Sequence, residues 1–221
     1  MLRLKLLPDR ILDVAIYTTF FVSDPEHLIA GFPGWRHPLP EPIKRQIKNP
    51  FTGETTTLET REPDWHEDEV AGPMEHDYQV LAMTGNYEDY LEGRLPCFVQ
   101  QKPHWAAKGL TEVELSPLAQ AAGVETKFEC PLYGPPSSGA ILQELPCGLA
   151  PKLVSLDENG LKALAVKWAA TMSAPEYTHS MTGVKLNNGW AQSYAMEILQ
   201  AIVALARKES AGQRMYLLTE A

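Results

Sequence analysis

The rhythm of apolar and polar positions changes along this chain. From Asp13 to Ser23 (DVAIYTTFFVS) β-branched and aromatic residues dominate, which predicts a core strand. Leu2, Leu4 and Leu6 alternate with Arg3 and Lys5, the pattern of a short half-buried strand. Asp24-Pro25-Glu26 offers an N-cap, a first-turn proline and a first-turn acid, and predicts a short helix to about Ala30. Ile43 to Lys48 and Thr55 to Arg61 read as two strands joined through Asn49-Pro50-Phe51-Thr52-Gly53, a hairpin with one wet face. Tyr78 to Met83 and Val124 to Cys130 read as further strands, and Tyr87 to Leu91 as a short helix.

Helical spacing takes over later. Ser116-Pro117 is expected to open a helix that Gly123 closes. Asp157 is placed to cap a helix whose apolar side carries Leu161, Leu164, Ala165 and Trp168. Tyr194, Ile198, Ala201, Ile202 and Leu205 form one stripe of a second helix, from about Trp190 to Glu209, with Gly212 as a stop. Arg214 to Thr219 then reads as a terminal strand.

Prolines support this division, because proline removes a backbone donor and clashes inside a helix. Six lie between Pro25 and Pro50 and five between Pro131 and Pro151, whereas Lys152 to Ala174 and Glu176 to Ala221 are free of them. The expectation is a single α+β domain over residues 1–221. It has a β-rich N-terminal half with a hairpin, and a helical C-terminal third ending in a short strand. Any subdivision would fall near residues 131–151.

Composition narrows the class of protein without naming an activity. Apolar residues make up 44% of the 221 positions and charged residues 21%, enough apolar material for a core and against a disordered or collagen-like chain. The net charge of -9 argues against a nucleic-acid binder, and Lys44, Arg45 and Lys48 are too small a basic cluster to reverse that. No apolar run reaches the length of a membrane-spanning helix, so no membrane association is expected. Cys97, Cys130 and Cys147 are odd in number and widely spaced, which suggests reduced thiols in the cytoplasm rather than a disulfide framework or a zinc site.

Charge is concentrated in one place. From Glu59 to Asp77 there are eight acids and one base, Arg61. Trp65 lies among them. An aromatic ring set among carboxylates can anchor a basic partner while the charge speeds its approach. Glu62, Asp64, Trp65, Glu67, Asp68 and Glu69 are therefore the candidate partner-binding residues. The competing view is a solvated loop with Trp65 folded back on the core. His66 and His76 bracket several of these acids, but their spacing matches no helical ligand pattern and HEDE is not HExxH, so no metal is assigned.

Catalytic patterns fail specific tests. Tyr133 to Gly139 (YGPPSSG) precedes AILQEL, which reads as a helix start capped by Ser137 or Ser138. No lysine follows Gly139, so this is not a P-loop, and neither GxGxxG nor GxSxG occurs. Glu112 and Glu114 alternate along an apparently extended segment and could share a face, but nothing places them in a cleft. Trp168 and Trp190 fall on apolar helix faces, which leaves Trp35 and Trp105 as the tryptophans more suited to exposure.

In general character, small, acidic and poor in motifs, the chain is similar to immunity or adaptor proteins. The leading expectation is a non-catalytic module that grips a basic protein partner through the acidic segment, without a cofactor. One alternative is a hydrolase with a pocket between the β-rich and helical parts, drawing on His66, His76, His104 and the Ser137-Ser138 turn. Another is a structural subunit with a large apolar patch.

Overall fold

A computed structural model describes residues 17–48, 53–66, 96–172 and 192–220. The expected segments at Leu2–Leu6, Tyr78–Met83 and Tyr87–Leu91 lie outside these residues, as do Glu67, Asp68, Glu69, His76 and Trp190.

The core is organised by a four-stranded antiparallel sheet of β1 (Tyr17–Ser23), β4 (His104–Lys108), β5 (Ala140–Glu144) and β6 (Arg214–Glu220), in the order β4-β1-β6-β5. Strand side chains alternate between faces, and this sheet buries both. Phe20, Val22, Met215 and Leu217 point to the helical face, while Phe21, Tyr216, Leu218 and Leu142 point to the other. That is why DVAIYTTFFVS shows a continuous apolar run rather than an alternation.

The helical face is covered by α3 (Glu112–Ala122), α4 (Leu149–Val154), α5 (Glu158–Met172) and α6 (Gln192–Ala206). Asp157 caps α5 as expected, its carboxylate accepting from the Gly160 N–H at 2.7 Å. Leu161, Leu164, Ala165 and Trp168 are buried along its inner side. Ile198, Ile202 and Leu205 are buried along α6, with Tyr194 at its exposed margin. Trp168 is fully buried and donates from Nε1 to the Glu114 carbonyl at 2.9 Å, which ties α5 to the start of α3.

The opposite face carries a smaller layer built from a 3₁₀ turn (Pro25–His27), α1 (Leu28–Gly31), α2 (Cys97–Gln100) and the stretch around Leu132. Its centre is aromatic: Phe32 lies 6.2 Å from Phe21, 5.9 Å from Phe98 and 5.0 Å from Trp35, measured between ring centroids. Trp35 and Trp105 are both half-buried, and Trp105 packs on Phe20 at 5.3 Å rather than standing free.

Strands β2 (Ile43–Lys48) and β3 (Thr55–Thr60) form the expected hairpin as a separate two-stranded sheet. Both of its faces are exposed, not one, because neither lies against the main core.

Several local expectations are corrected. AILQEL is not a helix start: Ala140–Glu144 is β5, recruited by pairing with β6. Val124 to Cys130 forms no strand and contributes only a single bridge, Glu129 to Glu144. The helix expected from Ser116 begins at Glu112, because Thr111 and Glu114 make a reciprocal capping box that satisfies the first free amides. Pro117 thus lies inside α3, and Gly123, with φ +76°, closes it as expected. Glu112 and Glu114 sit in the first turn of this helix, not on an extended segment. Asp24 does not cap the turn that follows it, since its carboxylate meets His27 and Gln213 instead. Helix α6 ends at Ala206, and Gly212, with φ +88°, belongs to the turn into β6.

Candidate functional site

The described part of the acidic segment runs from Glu59, at the end of β3, to His66, and it is tied to the protein at four points. The Leu39 N–H donates to the Arg61 carbonyl at 2.8 Å. Lys44 pairs with Glu59 across the hairpin at 2.9 Å. Arg45, in the middle of β2, reaches Asp64 Oδ1 at 2.6 Å. Arg36 donates from Nη1 to the Asp64 carbonyl at 2.7 Å and lays its guanidinium over the Trp65 ring, 4.6 Å from the centroid. Arg36 is itself fixed, because its backbone exchanges hydrogen bonds with Tyr133 in both directions, at 2.9 and 2.8 Å.

The candidate residues therefore have different settings. Asp64 is exposed and paired with Arg45. Trp65 is half-buried under Arg36, and its Nε1 is buried with no hydrogen-bond partner. Glu62 is half-buried, accepts no base among the described residues, and lines a groove of about 400 Å³ with Cys130, Tyr133, Ser138 and Leu142. Arg36 had no signal in the sequence. Arg45 had one, since β2 is a compact basic stretch lying close in sequence to the acidic segment.

The groove sets the carboxyl-bearing Glu62 in one lining with a thiol, Cys130, and a phenol, Tyr133. Burial pushes the Cys130 thiol up to about 11, helped by Glu112, Glu62 and Glu129. Tyr133 is raised by burial, then by Cys130 and Glu62, with Arg61 opposing. A thiol held protonated at neutral pH is a poor nucleophile, and burial moves Cys130 in that direction. Neither His66 nor His104 lines this groove, and His104 holds the Lys102 carbonyl at 2.9 Å through Nδ1. Among the described residues no group of three or more His, Cys, Asp or Glu is placed to hold a metal. No helix among them is long and apolar enough to cross a membrane.

A second, wider groove of about 600 Å³ lies between α1 and α2 and is lined by His27, Gly31, Pro33, Cys97, Phe98 and Gln101. His27 Nδ1 faces Asp24 at 3.3 Å, but no hydrogen bond joins His27 to Cys97. Comparison with known proteins gives no family model, curated protein or solved structure that matches this chain.

Proposed function

We propose that this chain is a non-catalytic protein-binding module of the cytoplasm that engages a basic partner through its acidic segment. Its contact residues are Glu62, Asp64, Trp65 and, next in sequence, Glu67, Asp68 and Glu69. The observation that supports this reading is the behaviour of Asp64 and Trp65: each already meets a cation, and each does so near the surface. Carboxylate and ring are the two groups that take up guanidinium or ammonium, through ion pairing and cation–π attraction. The charge density of residues 59–77 adds long-range steering for a basic surface.

Zero-length carbodiimide crosslinking to an oligolysine peptide, followed by peptide mapping, tests this. Crosslinks are expected to concentrate between residues 59 and 69. An even spread over the exposed Glu125, Glu158 and Glu197 would remove the support for a defined site.

A further inference from the structure

We propose that strand β2 is an internal stand-in for the partner. Arg45 holds Asp64 in the free protein and gives it up when an extended segment bearing arginine binds. This rests on the reading above and names the partner's chemistry and the contact that restrains it.

Two neighbouring groups of the described segment are each occupied by guanidinium, Asp64 by Arg45 and the Trp65 ring by Arg36. Arg45 is presented from extended backbone, opposite Leu58, with Ile43 and Ile47 two positions away on the same face. A strand carrying arginine between apolar residues is thus the ligand the segment already accepts.

The two arginines differ in how readily they exchange. Arg36 is pinned by its paired backbone beside Tyr133 and keeps Trp65 and the Asp64 carbonyl in place. The Arg45–Asp64 pair is open to water, the side chains being 44% and 84% exposed. A pair of that exposure biases an equilibrium by no more than about fivefold, so a ligand that brings its own arginine can replace it. Arg45 is then a competitor. Its removal should strengthen binding, the opposite of what a residue that merely presents Asp64 would do.

Lys48 supplies the control. It lies on the same strand, on the opposite face from Arg45, and makes no ion pair among the described residues. Arg45→Gln and Lys48→Gln change the net charge equally, but only the first frees Asp64.

The experiment measures the affinity of an oligo-arginine peptide for the wild type, Arg45→Gln, Lys48→Gln and Asp64→Asn by titration calorimetry at moderate salt. Thermal melts confirm that each variant is folded. The expected result is a two- to fivefold tightening for Arg45→Gln, at least about twice the effect of Lys48→Gln, and a weakening for Asp64→Asn. Equal tightening in the two glutamine variants would reduce the effect to net charge and overturn the proposal. Weaker binding by Arg45→Gln would overturn it too, by making Arg45 a presenting residue. If the wild type and all variants fail to bind, the acidic-segment reading falls and takes the proposal with it, a result distinct from the other two.

Discussion

Pro131 decides how the outer edge of β5 is closed. The Glu144 N–H donates to the Glu129 carbonyl at 2.7 Å, which starts an antiparallel pairing beside β5. Two residues on, that register sets Pro131 opposite Leu142, and proline has no N–H to give. The Cys130 thiol fills the gap by donating to the Leu142 carbonyl at 3.0 Å. The same burial raises its titration to about 11 from an ordinary 9.0. Below pH 9 the thiol is protonated whether the chain is folded or not, and its contribution is fully present. Between pH 9 and 11 the unfolded chain releases the proton and the folded chain does not, so stability falls, by an amount on the order of 2 kcal/mol. Denaturant unfolding of the wild type and Cys130→Ala should therefore show a constant stability difference below pH 9 that shifts against the wild type above it. A difference that stays constant to pH 11 would contradict the burial of this thiol.

At the level of elements, the hairpin and the main sheet respond differently to substitution. Ile47 and Leu58 are 52% and 47% exposed on the same hairpin face, so Leu58→Ser should change stability by less than about 0.5 kcal/mol. Leu217 is fully buried between sheet and helices, and Leu217→Ala should cost about 2–5 kcal/mol. Urea unfolding monitored by circular dichroism checks both, and a large loss for Leu58→Ser would mean that the hairpin is packed in solution. The elements legible in the sequence were those with strong local signals: β1 from its apolar run, the hairpin from its turn residues, α5 from Asp157 and its apolar side, and β6 from RMYLLT. The start of α3 was misplaced because the serine-proline pair masked the capping box at Thr111. Strand β5 was missed because AILQE has no strand-like alternation, and only its pairing with β6, 76 residues later in the register of Leu142 with Leu218, makes it a strand.

For the whole molecule, the acidic segment was visible in composition, but its anchorage was not. Arg36 and Arg45 lie 28 and 19 residues before Asp64, and only Arg45, in the compact basic stretch of β2, gives a linear reading any reason to bring them together. Once they are in place, Asp64 and the Trp65 ring each hold a guanidinium. Glu62, in its groove, has no such partner among the described residues, and the acids that follow His66 in sequence add to the charge of the proposed site. Long-range steering depends on summed charge and weakens as salt shortens its range to about 8–10 Å. The decisive measurement is the rate at which an oligo-arginine peptide associates, by stopped flow at low and high salt. It compares the wild type, the triple variant Glu67→Gln/Asp68→Asn/Glu69→Gln, and a control triple variant neutralising Glu125, Glu158 and Glu197. The segment variant should associate several-fold more slowly, with a flatter salt dependence, while the control stays close to wild type. Equal slowing in both variants would show that only net charge matters and would contradict a binding site in the acidic segment.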